Sequence, residues 1–130
     1  MTRTLLTLVM GTVIAAVPVY AHHSFAASYN ESESISLEGT VDEFRYKSPH
    51  AIVVFHAPDP AGRLQQYEAE WANPSRLQRQ GITTNTLRPG DVVVVTGSPG
   101  RVASENKVHL KGIRRPSDGW TWGGGGGRRR

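Results

Sequence analysis

A long strand that changes phase part-way along its length most limits what this chain can become. From Ile35 to Tyr46, the residues Ile35, Leu37, Gly39 and Val41 keep one face, and then Phe44 and Tyr46 fall on positions of the other parity. Side chains in a strand alternate with a period of two, so a slip in phase requires an extra residue, a β-bulge, here near Asp42-Glu43. Gly39 in the strand interior calls for a bend or the close approach of another backbone. A long, bent first strand is what a small closed barrel needs, because that strand must serve two sheets.

The remaining pattern fits such a barrel. Ser48-Pro49 breaks the chain, and His50 to His56 is a β-branched apolar run. Pro58-Asp59-Pro60-Ala61-Gly62 is a turn by composition. Leu64 to Trp71 alternates, with Tyr67, Ala69 and Trp71 on one side and Gln66, Glu68 and Glu70 on the other. A short helix follows, with Asn73 as N-cap, Pro74 at its first position, Leu77 as apolar anchor and Gly81 as its stop. The turn Leu87-Arg88-Pro89-Gly90-Asp91 delivers a fourth strand, Val92 to Thr96. A polar loop, Gly97 to Glu105, precedes a fifth strand, Lys107 to Ile113. The expected fold is therefore all-β with one short helix: a five-stranded, OB-like barrel in the order strand-strand-strand-helix-strand-strand. Its rival is another small β-barrel or a sandwich.

The first 21 residues have the three parts of a secretory signal: Arg3, the apolar run Leu5 to Val17, and Val19-x-Ala21 at the cleavage positions. The alternative, a membrane anchor, needs roughly 20 apolar residues, and this run is shorter. Cleavage after Ala21 divides the chain into a signal (1–21), a segment carrying His22 and His23 (22–34), the barrel (35–115) and a Gly/Arg-rich tail (116–130). The tail is expected to be disordered, since a run of glycines behaves as a flexible linker. The expected location is the periplasm or outside the cell, with no membrane span once the signal is gone.

Charge narrows the partners. Residues 22–127 carry 11 basic and 11 acidic side chains, because Arg3 leaves with the signal and Arg128, Arg129 and Arg130 lie in the tail. A neutral body argues against nucleic acid, and the tail can make only weak, salt-sensitive contact with anionic surfaces. The chain has no cysteine, which removes thiolate chemistry and zinc-finger readings.

The chain also resembles a family of small exported bacterial proteins, mostly proteobacterial, of unknown function. The matching pieces are His22-His23-Ser24-Phe25, Gly39-Thr40-Val41, Pro49-His50-Ala51, Trp71, Asn73-Pro74, Leu77 with Gly81, and Leu87-x-Pro89-Gly90-Asp91 leading to Val95-x-Gly97. The likeness spans about residues 22 to 115. It departs where the family shows Trp-x-Asn-Pro-His-Ala and this chain has Tyr46-Lys47-Ser48-Pro49-His50-Ala51. It departs again where the family shows Gly-Trp and this chain has Gly81-Ile82. The resemblance implies an exported OB-like domain and brings no activity with it.

Two function classes follow. Cleavage after Ala21 would start the mature chain with His22, whose amine and imidazole can chelate one divalent ion. His23 and His50 are the further candidate ligands, and an all-nitrogen set suits Cu(II) best among the divalent ions it could take. Cleavage one residue earlier would place a histidine third, which also binds Cu(II) or Ni(II). His56 and His109 are expected at the surface. The second class is a metal-independent module for a small ligand or a periplasmic protein, using the barrel face with Tyr46, Tyr67, Trp71 and Arg76 as contacts. Glu68 and Glu70 are expected as a solvated outward face. No catalytic motif is present, so no enzymatic activity is expected.

Overall fold

A computed structural model describes residues 25–124. The signal segment, His22, His23 and Arg128–Arg130 lie outside the described residues. The chain runs α1 (Phe25–Ser28, a single turn), β1 (Ile35–Arg45), β2 (Ile52–Pro58), β3 (Leu64–Glu70), α2 (Pro74–Arg79), β4 (Val92–Pro99), β5 (Lys107–Arg115) and β6 (Trp120–Gly123). The sheet order is β3-β2-β1-β4-β5-β6, and a further pairing of β3 with β5 closes the first five strands into a barrel. Every pairing is antiparallel except β3–β5.

The phase slip in β1 is a bulge. Val41 faces Phe55 and Glu43 faces Val54, so Asp42 is the extra residue. Residues 35–40 of β1 pair with β4 and residues 40–45 with β2, which is how one strand serves both halves of the barrel. Gly39 is required by contact: a Cβ there would collide with the carbonyl oxygen of His56. The inward sets of the strands interdigitate in one core, with Val41, Val53, Phe55, Ala69, Val93, Val95 and Val108 at most 1% exposed. Helix α2 seals one end. The Asn73 side chain accepts from the Arg76 N–H at 2.9 Å, Pro74 opens the helix, and Leu77 is fully buried. Gly81 stops the helix with φ +80°.

The tail is where expectation and structure part. Residues 116–124 are ordered as a hairpin: β6 pairs with Gly112–Arg115 of β5. Arg115 holds the turn, bonding Asp118 through Nε and Nη2 and reaching Asp91 and the Thr86 carbonyl through Nη1 at 2.9 and 2.7 Å. The glycine composition concealed two tryptophans. Trp122 packs edge-on to Trp71 with ring centroids 4.8 Å apart, and its Nε1 donates to Gln80 at 2.7 Å. Burial of that ring offsets the ordering cost that a linker could not meet. Strands β4 and β5 also run past their expected ends, and the loop between them contains a 3-10 turn, Ala103–Glu105. No helix among the described residues is long and apolar enough to cross a membrane.

Candidate functional site

The outward side of the β3–β5 seam carries a concentration of ionisable and aromatic side chains. It forms because the register sets Glu70 of β3 beside His109 of β5, while the β2–β3 hairpin brings His50, just ahead of β2, next to the end of β3. Glu70 bonds two groups. Its Oε2 accepts the Tyr29 hydroxyl at 2.6 Å, and its Oε1 lies 2.7 Å from His50 Nδ1. Tyr29 is 1% exposed. Burial first, and then the hydrogen bond and charge of Glu70, push its phenol well above the ordinary tyrosine range, so it stays a donor. Glu68, two residues away on the same face, accepts from Arg45 at 3.0 Å. The solvated acidic face expected here is thus a bonded one.

The amino-terminal segment lies over this seam. The Phe25 ring stacks face to face on His109, with centroids 3.8 Å apart and planes 2° from parallel, and it also packs against His50 at 5.2 Å. His109 Nδ1 lies 2.7 Å from Glu31, which also takes Lys111 at 2.9 Å. Burial alone would raise the Glu31 carboxyl. Hydrogen bonds from Lys111 and His109 outweigh it and hold the group below its ordinary value. Arg101 ties down the rest of the arm: its Nε donates to the Ala26 carbonyl and its Nη1 to Asn30, both at 2.9 Å. His109, expected as a surface residue, is therefore covered by Phe25 and hydrogen-bonded to Glu31. His56 sits elsewhere, half-exposed at the bulge, with Nδ1 2.8 Å from Asp42.

The residues named from sequence fall in different places. His50 is in the seam, and His22 and His23 lie outside the described residues. Trp71 is 1% exposed and belongs to the core, packed between Phe44 and Trp122. It presents no ring face for a ligand, and its Nε1 is buried without a hydrogen-bond partner. Tyr46 packs on Phe44, and its hydroxyl lies 2.9 and 2.8 Å from the Pro74 and Ile82 carbonyls, so it fastens α2 to the barrel. Arg76 is exposed on α2. Tyr67 stacks on Phe55 inside the barrel, yet it also lines a cleft of about 640 Å³ with Ile35, Arg63, Arg101 and Lys107. A smaller cavity of about 220 Å³, lined by Tyr29, Ile52, Glu68, Glu70 and Lys107, lies against the seam. Among the described residues, no three His, Cys, Asp or Glu side chains converge to hold a metal ion.

Sequence reasoning gave no site role to Phe25, Tyr29 or Glu31, and it expected Glu70 on a solvated face where the structure bonds it to Tyr29 and His50. One signal was available for Glu70: counting outward from the Pro58–Gly62 turn pairs Ile52 with Glu70 and so puts His50 nearby.

The fold and seam define a small closed β-barrel with an anchored amino-terminal arm. The chain belongs to DUF6152, a family of unknown function whose profile matches residues 11–109. No curated protein sequence matches it. Among solved structures, the crystal structure of TiaS in complex with an isoleucine transfer RNA and ATP is similar over 67% of this chain and 19% of that chain, at 24% identity and a TM-score of 0.43. That degree of likeness carries no functional argument.

Proposed function

We propose that this protein is an exported, non-enzymatic barrel that binds a divalent metal ion, Cu(II), at its mature amino terminus. The amine and ring of His22 chelate the ion, with His23 and His50 as partners. The observation that carries this reading is the docking of Phe25 against His50. His22 stands three residues before Phe25, and an extended chain of that length spans at most about 11 Å. The terminal histidines are therefore tethered to the neighbourhood of an imidazole whose Nδ1 is already engaged by a carboxylate. That is the arrangement in which the remaining ring nitrogen serves as a metal ligand. Export belongs to the same reading, because only removal of residues 1–21 creates the chelating amine.

The test is a Cu(II) titration of protein exported from a bacterial host, its terminus verified by intact mass. The expected result is one-to-one binding that disappears on His22→Ala and that, on adding one residue before His22, gives way to the square-planar geometry of a histidine in third position. Weak, multi-site binding indifferent to both changes would sink the proposal. A second reading, a metal-independent ligand or partner module, draws on the cleft at Tyr67. It would survive both amino-terminal changes and fail on Tyr67→Ala.

A further inference from the structure

Closure of the barrel is incomplete at one end. The pairing of β3 with β5 begins only at Glu68, opposite Lys107, so Leu64 to Tyr67 have no strand partner on that side. The cleft of about 640 Å³ opens here, between the β2–β3 turn, the β4–β5 loop and the start of β1. Its volume is that of a small-molecule site. Ile35 and Val102 give it apolar wall, and Val102 is 52% exposed. Tyr67 decides its polarity. That residue is 7% exposed, with its ring stacked on Phe55 at 5.6 Å, and it reaches the cleft. No group among the described residues bonds its hydroxyl, although a buried phenol ordinarily finds a partner. Burial, and then the charge of Asp59, raise the phenol above the ordinary tyrosine range, so it stays a donor. Asp59 is not its acceptor, because that carboxylate takes the N–H groups of Ala61 and Arg63 and the Arg63 guanidinium.

The charged groups of the wall add donors. Arg63 bonds Asp59 through Nε, and Arg101 holds the arm through Nε and Nη1; their other guanidinium N–H groups have no partner among the described residues. The Lys107 ammonium stands 3.6 Å from Glu105, too far for a hydrogen bond. Against these, Glu33 is the wall carboxylate left without a partner among the described residues, and it is exposed. A wall with surplus donors calls for a ligand that brings acceptors, and charge-assisted bonds to a carboxylate are the strongest it can make. We infer that this cleft binds a small organic anion: a carboxylate that accepts from the Tyr67 hydroxyl and the neighbouring cationic side chains, borne on an apolar body packed against Ile35 and Val102. The inference rests on the metal-independent reading above and gives it a ligand class; the terminal histidines take no part in it.

The experiment titrates the exported protein, without added metal, with octanoate, 1-octanol and octylammonium. Calorimetry gives the affinities and amide chemical shifts give the location. Octanoate is expected to bind one-to-one and to shift Ile35, Tyr67 and Val102; 1-octanol should bind about tenfold more weakly, and octylammonium more weakly still. Tyr67→Phe keeps the ring on Phe55 and removes only the hydroxyl. It is expected to raise the octanoate Kd about tenfold and to leave 1-octanol unaffected. Lys107→Gln should raise the octanoate Kd about threefold, and Arg79→Gln, at an exposed cation of α2 outside the cleft, should not change it. Near-UV circular dichroism checks the fold, and if Tyr67→Phe does not fold, Lys107→Gln against Arg79→Gln decides the matter. Equal affinity for octanoate and 1-octanol would overturn the anion class while leaving the cleft a ligand site. Wild-type octanoate affinity in Tyr67→Phe would also overturn the inference, as would shifts centred on Tyr29 and Ile52, which line the smaller cavity that Lys107 shares. Saturable binding of none of the three probes would bring down the metal-independent reading as well.

Discussion

Glu70 and Trp71 are neighbours in sequence and sit on opposite sides of the barrel wall. Each is the centre of an aromatic group. On the inner side Trp71 gathers Phe44, Trp122 and, through Phe44, Tyr46. On the outer side Glu70 gathers Tyr29 and His50, with Phe25 and His109 beside them. The inner group has few polar ties, and they run to backbone carbonyls and one amide side chain. In the outer group every histidine nitrogen and hydroxyl that bonds does so to a carboxylate. The inner group stabilises by excluding water from large rings. The outer group contributes less burial, but it holds nitrogen and oxygen atoms in fixed places. Apolar burial and polar bonding are thus divided between two faces of one strand end.

The division is broken most readily at Trp71. Trp71→Ala removes the largest fully buried side chain and is expected to cost about 3–5 kcal/mol, a large share of the stability of so small a domain. The denaturant midpoint would report it. A midpoint near wild type would show that this ring is not the keystone of the inner face. Trp122→Ala is expected to cost less, because that ring is only partly buried, and to loosen β6 while leaving the five-stranded barrel intact. Amide exchange would locate the change: Gly112–Arg115 should lose protection while Val93 and Val95 keep theirs.

Phe25→Ala should behave in the opposite sense. Its ring lies outside the core, so the midpoint is expected to shift by no more than about 1 kcal/mol. On the proposed metal reading, Cu(II) binding should weaken, because the arm that His22 and His23 precede loses its platform on His109. A large stability loss with unchanged metal binding would reverse the assignment of the two faces.

The inner face was far more legible in the sequence than the outer one. The phase slip between Val41 and Phe44, the Asn73-Pro74 cap and the alternation of Tyr67, Ala69 and Trp71 are local signals, and each is where the pattern placed it. What alternation could not tell was what Tyr67 and Trp71 are for. Their inward parity was correct, and a barrel this small fills its interior with its own rings, so Trp71 could not also face a ligand. The outer site rests on partners far apart in sequence: Glu31 and His109 are separated by 78 residues and Tyr29 and Glu70 by 41. An outward side chain is recognisable from period alone, but the strand across from it depends on barrel closure, and β3–β5 is the parallel pairing that no hairpin announces. Strand β6 was hidden for another reason. Linker composition dominated the tail, while its order comes from pairing with β5, the Arg115–Asp118 turn and the packing of Trp122 on Trp71.

The smallest effect expected is one of pH, and it separates the faces without a mutation in either. Glu31 is held below its ordinary value of 4.5 despite partial burial, chiefly by the hydrogen bonds from Lys111 and His109. A carboxylate depressed by folding contributes stability that is fully present above its unfolded value and is lost as pH falls through the folded one. The hold of the arm on β5 is therefore expected to be intact above about pH 4.5 and to weaken progressively below it. The amide signals of Phe25 to Glu31 should shift or lose exchange protection in that window. The near-UV signal of Trp71 and Trp122 should stay constant there, since no carboxylate bonds either ring. Glu31→Gln should show a weakened arm at every pH and no further loss on acidification. If the arm and the tryptophan signals melted together instead, the two faces would be one cooperative unit, and the arm would be as much a part of the barrel's stability as its core.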